Sequence, residues 1–110
     1  MLINSENLNR YQTLFGREKM VSLWQEYRQQ AEQDLAKLPA LSPEEVRGLF
    51  HRLHASSQVF GLEEFADLCG QIEDNLVQKR PADAMIASVV ALFNRSVTAA
   101  DSLLTGKKHD

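Results

Sequence analysis

Two of the three histidines in this 110-residue chain stand three apart, in the run His51-Arg52-Leu53-His54-Ala55-Ser56-Ser57-Gln58-Val59-Phe60-Gly61. An imidazole in water is mostly neutral at pH 7.5, and its unprotonated nitrogen is then a nucleophile that needs no general base. If the electrophile is phosphorus, the remaining demands are alignment and charge neutralisation, which a partner's metal-loaded site can meet. With Val46 at zero on a wheel of about 100° per residue, Leu49, Phe50, Leu53, Ser57 and Phe60 fall within roughly 60° of it and define a buried face. His51 then lies at about 140°, turned outward among Glu44, Arg47, Gly48, Ala55, Gln58 and Val59, while His54 sits on the flank near about 80°. Arg47 and His54, at i−4 and i+3, reach the same side and can neutralise an anion on the ring. Gln58 can donate a hydrogen bond to it.

The small neighbours carry a second message. Gly48 and Ala55 occupy surface positions where a helix normally carries Lys, Glu or Gln, and a helix-interior glycine costs roughly 1 kcal/mol relative to alanine. Close approach of another protein's backbone accounts for that. Gly48, Arg52, Ala55, Val59 and Glu63 are therefore the expected docking residues. Blander readings compete: an exposed histidine is commonly inert, and the domain then reduces to a helical adaptor. His51 and His54 share a face as a two-point metal site would, but no third ligand stands at suggestive spacing, so no metal is expected. Cys69 reads as a small core hydrophobe. Trp24 and Tyr27 read as core or interface aromatics. Glu44, Glu45, Glu63, Glu64, Glu73 and Asp74 read as caps and solvated faces, with no paired general acid and base among them. His109, in the tail, has no evident role.

Helices must position all of this, because every periodic segment has helical spacing and none alternates like a strand. A short leader helix capped by Ser5 carries Leu8, Tyr11 and Leu14 and ends near Gly16. A second runs from about Arg17 to Lys37, with Met20, Trp24, Tyr27, Ala31, Leu35 and Leu38 inward, until Pro39 breaks it. Ser42-Pro43-Glu44-Glu45 supplies an N-cap, a first-turn proline and a capping-box glutamate for the third helix. That helix extends to about Phe60, where Gly61 can end it in the left-handed conformation. The fourth, from Leu62 to about Gln78, buries Leu62, Phe65, Leu68, Cys69, Ile72 and Leu76. After Lys79-Arg80-Pro81 the fifth, from about Ala82 to Leu104, buries Met85, Ile86, Val89, Val90, Phe93, Val97 and Leu104. Short loops make neighbours antiparallel, so the expected fold is all-α: an antiparallel up-and-down four-helix bundle with a short N-terminal leader helix. It forms one domain over residues 1–110, with a polar tail from about 106.

Composition bounds the partners. Twelve Lys and Arg against fifteen Asp and Glu give a net charge of −3 and no basic stripe, which argues against nucleic acid. One cysteine cannot form an internal disulfide. No apolar run approaches membrane-spanning length, and the start Met1-Leu2-Ile3-Asn4-Ser5-Glu6 lacks signal-peptide character. A monomer in the cytoplasm, without direct membrane contact, is the expectation.

These residues resemble a histidine phosphotransfer (HPt) domain. The family pattern is a histidine, then leucine two on, lysine three on, glycine four on, a small pair and glycine ten on. Here it reads His51, Leu53, His54, Ala55, Ser56-Ser57 and Gly61, followed by Leu62, Phe65, Cys69 and Ile72-Glu73. Upstream, Leu14-Phe15-Gly16-Arg17-Glu18 and Met20 to Tyr27 look like the family's lead-in to its second helix, so the likeness covers nearly the whole chain. The resemblance implies that His51 accepts a phosphoryl group from the aspartyl phosphate of one receiver domain and passes it to another. It also implies no enzymatic activity of the domain itself, no cofactor beyond Mg²⁺ in the receiver, and a place either alone or at the end of a hybrid histidine kinase. The family's lysine is His54 here and its glycine is Ala55, which weakens the hold on phosphate and adds a methyl beside the ring. Arg47 is the candidate to take over the lysine's task. A register with His54 phosphorylated loses the leucine two positions on and puts the ring on the flank.

Overall fold

The computed structural model describes residues 1–105, so the polar tail and His109 lie outside the described residues. Five α-helices and no strand occur among those residues: α1 (Ser5–Phe15), α2 (Arg17–Ala36), α3 (Pro43–Val59), α4 (Glu63–Val77) and α5 (Asp83–Thr105). A 3₁₀ turn, Leu38–Ala40, follows α2 around Pro39.

Local chemistry sets most boundaries. Ser42 Oγ accepts from the Glu45 N–H at 3.3 Å, and Glu45 Oε1 accepts from the Ser42 N–H at 2.9 Å, a complete capping box with Pro43 in the first turn. These bonds, the one from the Ser42 backbone foremost, hold the Glu45 carboxyl below the usual range. At the other end of α3, Gly61 adopts φ 70°, where side chains are strained. A Cβ there would also stand 2.5 Å from the Asn4 carbonyl oxygen.

That contact explains a departure in α1. The cap is Asn4, whose side chain accepts from the Asn7 N–H at 3.2 Å, and Ser5 is drawn into the first turn. Asn4 is fixed in an extended conformation because its N–H donates to the Gly61 carbonyl at 2.7 Å. A tertiary bond therefore chooses between two adequate caps.

α3 packs on α4, α4 on α5, α5 on α2 and α2 on α3, with α1 laid against α2 and α3. The core between them is aromatic at its centre. Trp24 and Phe60 meet edge-on at 5.5 Å, Tyr27 tilts against Phe60 at 4.9 Å, and Phe65 against Phe93 at 5.1 Å. Each such ring contributes roughly 1.5–3 kcal/mol by burial. The polar groups in this core are paired: Tyr27 and Ser57 share a 2.6 Å hydrogen bond, and Trp24 Nε1 donates to Asp101 at 3.3 Å.

Along α5 the buried stripe is Val89, Phe93, Val97, Ala100 and Leu104. Val90, expected inside, is exposed, since it stands about 100° around the helix from Val89. Met85 and Ile86 pack on the core only in part. Leu14 of α1 is also exposed. Among the described residues no helix is long and apolar enough to cross a membrane.

Burial makes stability sensitive to alkali. It pushes the Cys69 thiol up from its ordinary 9.0 to about 12, and raises the Tyr27 hydroxyl well above its usual value despite the opposing Ser57 bond. Both groups lose protons more readily unfolded than folded, so stability is complete below pH 9 and falls as pH rises through the window up to about 12. Denaturant unfolding from pH 7 to 11 should show a midpoint that declines above 9 and a shallower decline in Cys69→Ala. A flat profile in the unsubstituted protein would contradict this.

Candidate functional site

The turn through Phe60, Gly61 and Leu62 sends α4 back along α3, and two side-chain rungs fix their register. His51 meets Glu73, and one turn along, His54 meets Gly70. The residue numbers rise on one helix as they fall on the other, as an antiparallel pair requires.

In the first rung, His51 Nδ1 lies 2.7 Å from Glu73 Oε2. The His51 side chain is 70% exposed, while Glu73 is only 19% exposed. A carboxylate can only accept, so the neutral imidazole donates Nδ1–H and its lone pair resides on Nε2. The result is an oriented ring on an exposed side chain, whose Nε2 makes no hydrogen bond among the described residues.

In the second rung, the His54 ring lies flat over the α4 backbone at Gly70. A Cβ on that glycine would stand 3.1 Å from Cε1 and 3.2 Å from both ring nitrogens. His54 is half-buried, and Gln58 Nε2 lies 3.3 Å from its Nε2.

Arg47, Glu44 and Ala55 are exposed on the His51 side of α3, and the Arg47 side chain makes no hydrogen bond or ion pair among the described residues. Those residues also hold no cluster of three His, Cys, Asp or Glu side chains suited to a metal ion. What the site offers is an oriented, exposed imidazole with an exposed guanidinium four residues before it on the same helix.

The Hpt domain family model matches residues 22–102, from early α2 to near the end of α5. The chain belongs to the Hpt domain family. Comparison with curated proteins and with solved structures returned no match. Hpt domains are histidine phosphotransfer modules of two-component phosphorelays, where they interact with receiver domains as phosphocarriers rather than enzymes.

The remaining surface residues of this Hpt domain divide. Arg52 and Val59 line an open groove of about 950 Å³ between α1, α2 and α3, together with Tyr11, Phe15 and Leu23. Val59 is 37% exposed there, and Tyr11 stacks on Phe15 at 5.9 Å. Gly48 is half-exposed, and a Cβ on it would meet only the Arg52 guanidinium at 3.6 Å, an ordinary contact. The helix thus has room for alanine at 48. Glu63 lies apart, in the first turn of α4, about 15 Å along that helix from Glu73, and faces the N-terminal amine at 3.8 Å.

Two residues of this arrangement carry no local signal of their partners in the sequence. Glu73 reads there as a solvated carboxylate and Gly70 as an ordinary helix glycine, because the partner of each lies on the neighbouring helix. The Ile72-Glu73 step of the family pattern was the available signal for Glu73. With its carboxylate removed, His51 loses the acceptor that selects its tautomer. ¹⁵N NMR above pH 8 should find the His51 proton on Nδ1 in the unsubstituted protein and moved largely to Nε2 in Glu73→Ala. The same tautomer in both would show that Glu73 does not orient the ring.

Proposed function

We propose that this Hpt domain is a phosphorelay intermediate in which His51 reversibly accepts a phosphoryl group from a receiver's aspartyl phosphate and delivers it to a second receiver. The observation that carries the reading is the 2.7 Å contact from Glu73 to Nδ1 of an exposed histidine. The Nε2 lone pair attacks phosphorus, the N–P bond forms, and the bond from phosphorus to the aspartyl oxygen breaks, with the carboxylate leaving. Neutral imidazole becomes a phosphorylated imidazolium as its Nδ1 proton stays in place. Glu73 then offsets a positive charge that did not exist before attack, so its contribution grows toward the transition state. Delivery to the second receiver reverses these changes.

Arg47 is the cation we assign to the phosphoryl oxygens. His54 and Gln58, bonded to each other one turn on, support them less directly. Gly48, Ala55, Arg52 and Val59 belong to the receiver-docking surface, with Glu63 at its far edge, and Mg²⁺ resides in the receiver. The four longer helices we read as an antiparallel up-and-down bundle with α1 as leader. The domain acts as a cytoplasmic monomer or beside a histidine kinase in one polypeptide.

Incubation with a phosphorylated receiver should yield acid-labile, base-stable phosphate on the protein and none on His51→Gln. At pH 8, Arg47→Ala should slow labelling about fivefold to tenfold, the worth of one charge-assisted contact, and His54→Ala should slow it less. Label persisting in His51→Gln would overturn the assignment. Docking to the receiver without label would leave a non-transferring adaptor, and a larger effect of His54→Ala would remove Arg47 from its role.

A further inference from the structure

Two imidazoles sit three residues apart on one helix, and a phosphorelay carrier needs only one of them to react. We infer that Gly70 and Gln58 make the choice, by holding His54 flat on α4 with no nitrogen lone pair open to an electrophile. The inference rests on His51 being the acceptor and explains why its neighbour is not one.

The geometry treats the two rings oppositely. His51 meets its α4 partner edge-on through Nδ1, which leaves Nε2 free and the side chain 70% exposed. His54 meets its α4 partner face-on, since three of its ring atoms lie at nearly equal distance, 3.1–3.2 Å, from where a Gly70 Cβ would stand. Any side chain at 70 must push the ring away, and glycine, a poor helix former, is the residue that leaves it room.

Hydrogen bonding completes the difference. The Gln58 amide donates to His54 Nε2 at 3.3 Å, so that lone pair is occupied and the ring proton resides on Nδ1. Both histidines therefore carry hydrogen on Nδ1, but only His51 presents an open Nε2. His54 keeps an N–H donor, which suits support of a phosphoryl group, and lacks an available nucleophile. Gly70 and Gln58 act through His54 and are positioning residues.

Diethyl pyrocarbonate tests this without any receiver, so its outcome is independent of phosphotransfer. An imidazole nitrogen attacks one carbonyl carbon, giving the N-carbethoxy ring with release of ethanol and carbon dioxide. Peptide mass spectrometry of the intact, folded protein reads the rate at each histidine. His51 should be modified about tenfold faster than His54, the difference one occupied lone pair makes. Gln58→Ala and Gly70→Ala should each raise the His54 rate several-fold, with the His51 rate in Gly70→Ala unchanged; a His51 rate that rises as much as that of His54 while the unfolding midpoint falls would show general loosening and overturn the inference. Equal rates in the unsubstituted protein, or a His54 rate unmoved in both variants, would overturn the inference.

Discussion

The register between α3 and α4 governs what each histidine can do, and a three-residue turn sets it. Gly61 makes that turn through a positive φ, and its carbonyl accepts from the Asn4 N–H at 2.7 Å. Asn7 adds a bond to the Gln58 carbonyl, also at 2.7 Å. The start of the chain is thereby fastened over the turn. A slip of one residue along α4 would rotate Glu73 by about 100° and remove it from His51. It would also replace Gly70 opposite His54 with Cys69 or Gln71, neither of which leaves room for a flat ring.

The core keeps that register from drifting. Phe50, Leu53 and Ser57 of α3 are buried against Phe65, Cys69 and Ile72 of α4 and the aromatic group of α2 and α5. Close packing resists translation, because sliding one helix would empty some contacts and overfill others. The Tyr27–Ser57 bond adds direction, since a displaced Ser57 would leave a buried hydroxyl unsatisfied. A rigid platform suits a carrier whose chemistry is largely supplied by its partner. In the proposed transfer, alignment of Nε2 is the domain's main contribution, which Glu73 and the packed helices provide before any encounter.

Features written in adjacent residues were legible in the sequence. The Ser42–Glu45 capping box, the Pro39 break and the glycine stop at 61 each depend on contacts within a few positions. The outward direction of His51 followed from helical periodicity alone. What escaped depends on neighbours distant in sequence. Asn4 displaced Ser5 as cap because of a bond to Gly61, and Val90 proved exposed because the face α5 buries is narrower than its apolar content. Glu73 could not be joined to His51 across 22 residues without the register of two helices. The same holds for Gly70, whose meaning lies in the ring above it.

In the proposed transfer, Glu73 holds His51 so that Nε2, and not Nδ1, receives the phosphoryl group. Phosphorus–nitrogen coupling in ³¹P and ¹⁵N NMR spectra of the phosphorylated, ¹⁵N-labelled protein identifies the bonded atom directly. The phosphorus should couple to Nε2 of His51, with Nδ1 still protonated against Glu73. Coupling to Nδ1 of His51, or to either nitrogen of His54, would contradict it.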